Sequence, residues 1–228
     1  LTALWWSILR TASSSDLPWA LHGIAFISLF PLSCELILRR RLGRSPSPEM
    51  FFMRFFILTL PFQAPRILLS TNILDPSWSI AVTRIAWFAR FFGILSLLNI
   101  CFFSGDISLR HSGLVSGMGF LTTLFIVSTM PFDITQPLGN LLIRSGIETT
   151  LALVTVAMEV LAVLGILGTA IIRGNAYYYL LAGALLFVVI GMDLVFFLSR
   201  PLLVPGAILL VVGVSSFTWT VQKIYQWL

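Results

Sequence analysis

Apolar runs of close to 20 residues recur along the chain, each closed off by proline, glycine or charged residues. They predict helices at roughly 18–38, 50–70, 78–103, 113–131, 147–172, 175–198 and 201–222. Runs of this length cross about 30 Å of hydrocarbon at about 1.5 Å per residue. The breaks between them read "RRRLGRSPSPE" (39–49), "TNILDPS" (71–77), "SGDISLRHS" (104–112), "PFDITQPLGNLLIRSGIE" (131–148), "RGN" (173–175) and "SRP" (199–201). Proline and glycine gather in them, as they do where helices stop. The "SRP" link is so short that the helices on either side must be antiparallel neighbours. The expected fold is all-α: a polytopic bundle of seven transmembrane helices over residues 18–228, preceded by a short segment, 1–17.

Composition strengthens this reading. Of 228 residues, 58% are hydrophobic and only 10% charged, with a mean hydropathy of +0.99. Soluble domains carry about 25% charged residues, so lipid is the expected bulk solvent and membrane lipids the first expected partner. Leu1 stands where a methionine would open a chain, so a processed or missing N-terminal piece is expected. The segment 1–17 is too short to span; Trp5 and Trp6 beside Arg10 suit an interfacial helix at the headgroups.

Charge then sets an orientation. Arg39, Arg40, Arg41, Arg44, Arg110, Arg173 and Lys223 fall on one side, against Arg10, Arg144 and Arg200 on the other. The positive-inside rule places the first set in the cytoplasm, with the N-terminus outside and the C-terminus inside. The protein is therefore expected in a plasma or inner membrane. The net charge of +5 sits at helix ends or inside helices, which argues against a nucleic-acid partner.

Ionisable residues inside the spans are costly. An arginine at the bilayer centre costs from about 3 to well above 10 kcal/mol, depending on method. Counting along the helices puts Arg84 about 9 Å and Arg90 about 18 Å from the outer surface, with Glu159 also about 18 Å down. Arg66 and Asp193 lie within about 10 Å of that surface. Helical spacing aligns Thr59, Gln63, Arg66 and Ser70 on one stripe, Glu148, Ala152, Thr155 and Glu159 on a second, and Thr83, Trp87 and Arg90 on a third. Arg84 points about 120° away from Arg90, so the two need different partners. The expected pairs are Arg90 with Glu159, and Arg84 or Arg66 with Asp193. Glu35 and Arg54, near the cytoplasmic ends of their helices, are expected to snorkel or pair with each other.

Two readings of these charges compete: ion pairs that set helix register, or an outward-facing cavity for an anionic or amphipathic ligand. The candidate ligand-binding residues are Arg66, Arg84, Arg90, Glu159, Asp193, Gln63 and Trp87. Pro61 and Pro65 would break backbone hydrogen bonding next to Gln63 and Arg66. "GLVSG" (113–117) would permit close helix packing within the chain, as would Gly165, Gly168, Gly206 and Gly213.

Other chemistries are poorly served. Lys223 lies at the end of the last span, where it cannot hold retinal. His22 and His111 lie at opposite ends, which suits neither haem nor zinc. Cys34 and Cys101 suggest no disulfide framework. No GxSxG or HExxH motif occurs, and no inverted repeat is visible. No cofactor is expected. The leading expectation is a non-enzymatic, sensor-like or ligand-binding membrane protein. Its rivals are an accessory subunit with a protein partner in the membrane, and a small lipid-modifying enzyme or transporter.

Overall fold

A computed structural model describes residues 17–42, 47–71, 75–104, 112–138 and 142–225. The expected interfacial segment lies outside these residues, apart from Leu17. The chain runs α1 (Leu17–Leu42), α2 (Pro48–Thr59), a 3₁₀ segment (Leu60–Thr71), α3 (Pro76–Phe103), α4 (Ser112–Thr129), strands β1 (Phe132–Leu138) and β2 (Leu142–Ser145), then α5 (Glu148–Arg173), α6 (Ala176–Phe196) and α7 (Arg200–Tyr225). Among the described residues six stretches are long and apolar enough to cross a membrane, α2 and the 3₁₀ segment together forming one of them. The seventh apolar helix, Gly113–Thr129, is shorter.

Local chemistry sets the boundaries. Ser47 caps α2, its hydroxyl accepting from the Met50 amide at 3.3 Å, with Pro48 in the first turn where no amide partner is needed. Gly174 ends α5 in the left-handed region at φ 60°, its N–H returning to the Ala170 carbonyl. Asn175 then opens α6 by accepting from the Tyr177 amide at 3.0 Å. Pro61 and Pro65 have no amide hydrogen, so the α-helical ladder fails at Leu60 and the chain continues as a tighter 3₁₀ coil.

The strand pair departs from the expected helix-only fold. The segment 131–148 holds antiparallel β1 and β2, registered Phe132 to Ser145 and Leu138 to Leu142. Gly139-Asn140 between alternating apolar residues is a hairpin signal that the helical reading of the chain passed over.

Helix α3 is the centre of the bundle, contacting α2, the 3₁₀ segment, α4, α5 and both strands. The most intimate pair is α6 with α7. A Cβ on Gly191 would lie 2.6 Å from the Leu210 amide nitrogen, and one on Gly213 would lie 2.7 Å from that of Val188. Only glycine lets the two backbones come this close. Leu198 turns the chain between them at φ 52°, with its side chain buried against Ala20, Ile24 and Leu203.

Contacts sort the helix ends. The Arg200 guanidinium lies over the Trp19 ring at 5.6 Å, so α1 and α7 start at one end. At the other, the Tyr225 hydroxyl donates to Glu49 Oε2 at 2.8 Å, joining the end of α7 to the start of α2. Arg54 pairs with Glu35 as expected. The "GLVSG" face behaves otherwise: Gly113 and Gly117 have nothing within 4 Å of an added Cβ. The expected close packing there does not occur. Gly168 is equally open, whereas Gly206 packs against Val195 as expected.

Candidate functional site: a buried charge cluster and a lateral groove

The three polar stripes turn inward. Thr59, Gln63 and Arg66 are buried, as are Thr83, Trp87 and Arg90 on α3 and Ala152, Thr155 and Glu159 on α5. The side chains of Ser70 and Glu148 lie outside the described set. With Asp193 of α6, six of the seven candidate residues thus fall within the core, Arg66 at 0% and Arg90 at 1% exposure.

Their pairing differs from expectation. Arg90 Nη2 meets Asp193 Oδ1 at 2.5 Å, replacing the expected Arg90–Glu159 pair. Glu159 is buried beside the same pair, in the field of both Asp193 and Arg90, and its Oε1 has no hydrogen-bond partner among the described residues. Arg66 does not take Asp193 either. It donates to Gln63 Oε1 at 3.3 Å and to the Phe196 backbone carbonyl at 2.9 Å. That carbonyl is in the last turn of α6, where helical carbonyls have no partner within the helix. Arg66 therefore closes the end of α6 as a cap.

Phe196 is the hub that the sequence reading missed. The Arg90 and Arg66 guanidinium carbons lie 4.0 and 4.6 Å from its ring centroid, and the Trp87 ring lies at 5.7 Å. Aromatic faces attract guanidinium groups most strongly where water is absent. The signal was its position three residues after Asp193, on the same helical face. Two arginines and two carboxyls thus gather in one buried cluster, held by α3, α5, α6 and the 3₁₀ segment.

Arg84 stands apart, as its angular offset from Arg90 required. It is half-buried, with its guanidinium carbon 5.8 Å from the Phe132 ring. Among the described residues it has no carboxylate partner, and its Nε is buried without an acceptor. It lines a lateral groove of about 810 Å³ between α2, α3 and α4. Phe51, Phe55, Phe62, Phe88, Phe92 and Phe120 supply the aromatic lining, and the open glycines 113 and 117 form part of the α4 wall. Phe88 and Phe120 meet edge to face at 5.0 Å where α3 touches α4. No acidic residue is among the described lining residues.

Fold and sites together define a class: a multi-pass helical membrane protein. Comparison with protein-family models, curated proteins and solved structures finds no match.

Proposed function

We propose that this is a non-enzymatic membrane protein of seven crossings, N-terminus outside, that binds an amphipathic ligand. The binding site is the lateral groove rather than an outward polar pocket. Arg66, Arg90, Asp193, Glu159, Gln63 and Trp87 hold the bundle together, and Arg84 belongs to the ligand. The observation that carries this reading is the groove itself. Its volume falls in the range of about 300–1,000 Å³ typical of small-molecule sites, and the glycine face that could have closed it is open.

Native mass spectrometry of gently extracted protein tests the reading. A bound amphiphile is expected, and Gly117→Trp should displace it, because an added Cβ there meets nothing within 4 Å and an indole can extend into the groove that Gly117 lines. Amphiphile retention unchanged by that substitution would overturn the reading. So would a stoichiometric protein partner seated on α4, which would favour an accessory subunit.

A further inference from the structure

The groove is chemically lopsided, and the lopsidedness specifies a ligand. Among the described residues Arg84 is its only charged lining residue, and the rest is nearly all hydrocarbon and aromatic ring. Along α4 the lining runs from Gly113 to Ser128, about 22 Å at 1.5 Å per residue. One leaflet is about 15 Å of hydrocarbon, half of the 30 Å core, so a whole acyl tail fits along it. Arg84 lies towards the Ser128 end, since Phe132, which its guanidinium faces, follows closely after α4.

A guanidinium in apolar surroundings needs a counter-charge and acceptors for its N–H groups. Arg90 finds a counter-charge and an acceptor for Nη2 in Asp193, whereas among the described side chains no carboxylate pairs with Arg84 and its buried Nε has no acceptor. Resting on the groove reading above, we propose that Arg84 makes the site select an anionic phospholipid. Its phosphate accepts from the Arg84 guanidinium, and one tail lies between the phenylalanines of α2 and α3. A zwitterionic headgroup would bring an ammonium that finds no carboxylate among the described lining residues. In the proposed orientation the lipid comes from the outer leaflet. Arg84 is about 9 Å below Trp78, a depth that a long side chain shortens by snorkelling towards the headgroups.

The test uses the intact chain in nanodiscs of phosphatidylcholine with a minority of phosphatidylglycerol, reading retained lipids by native mass spectrometry. The wild type should enrich phosphatidylglycerol about tenfold, equivalent to about 1.4 kcal/mol. Arg84→Gln should remove the enrichment while lipid retention and thermal midpoint persist, and Arg84→Lys should keep most of it. Equal retention of both lipids by the wild type, with both lost in Gly117→Trp, would overturn the headgroup selection and leave the groove reading standing. Enrichment that survives Arg84→Gln would overturn the role of Arg84. A free fatty acid held in place of phospholipid would overturn the lipid class. Retention indifferent to Gly117→Trp would overturn the groove reading itself.

Discussion

Arg84 and Arg90 lie on one helix, six positions apart, and meet opposite fates. Arg90 is enclosed by Asp193, Glu159 and the Phe196 ring, so its charge is neutralised within the chain. Removing one partner of a buried pair strands the other and costs about 3–5 kcal/mol. Arg90→Gln and Asp193→Asn should therefore each lower unfolding stability by about that much. Replacing both partners with apolar residues, Arg90→Met with Asp193→Leu, should recover much of the loss, because desolvation no longer has to be offset. Glu159→Gln should cost about 1 kcal/mol or less, since the amide keeps the shape and hydrogen-bonding reach of the carboxyl. Thermal unfolding in detergent, read as a double-substitution cycle for the first pair, checks all three. Equal costs for Asp193→Asn and Glu159→Gln would show that Glu159 is as much the partner of Arg90 as Asp193 is.

At the scale of elements, α6 and α7 are held by backbone proximity rather than by large side chains. Gly191 and Gly213 each face the backbone of the opposite helix, which cannot swing aside as a flexible side chain would. Gly191→Leu or Gly213→Leu should thus cost at least about 1–3 kcal/mol, the usual range for overpacking. The same change at Gly168 or Gly117, where an added Cβ meets nothing within 4 Å, should be close to neutral. Melting curves of the four variants separate the sites. The contrast also shows what the sequence could and could not disclose. Helix limits were legible because proline, glycine and capping side chains act over a few residues, as at Ser47-Pro48 and Gly174-Asn175. The inward stripes were legible because helical periodicity is local. Pairing was not legible: counting depth set Arg90 level with Glu159 and left Asp193 nearer the surface, but a long arginine side chain reaches across several residues of depth to Asp193. Spacing likewise does not tell a packed glycine such as Gly213 from an open one such as Gly117. That depends on where the neighbouring helix stops, and the groove was therefore invisible until α4 was placed.

For the whole molecule, the open question is one of parity, and α4 decides it. The six long apolar stretches among the described residues would, alone, place the end of α7 on the face where α1 starts. A seventh crossing puts the start of α1 and the end of α7 on opposite faces. The apolar stretch Gly113–Thr129 is about 26 Å long at 1.5 Å per residue, against a core of about 30 Å. That is at the short end for a span, where local thinning of the bilayer costs only fractions of a kcal/mol per ångström. Its surface favours insertion: Leu114, Met118, Leu121 and Phe125 are all more than 60% exposed, a burden in water and none in lipid. Its ends are also tied to opposite ends of the bundle. Phe132, just beyond it, faces Arg84 near the start of α3, while Gly113 lines the groove with Phe51 near the start of α2. Helix α4 should therefore cross. Reporter fusions or single cysteines at residues 108 and 140, probed with a membrane-impermeant reagent, should label from opposite sides, 108 from the cytoplasm and 140 from outside. Labelling of both from one side would make α4 a surface helix and place the two ends of the bundle on one face. It would also leave the groove without its third wall inside the bilayer.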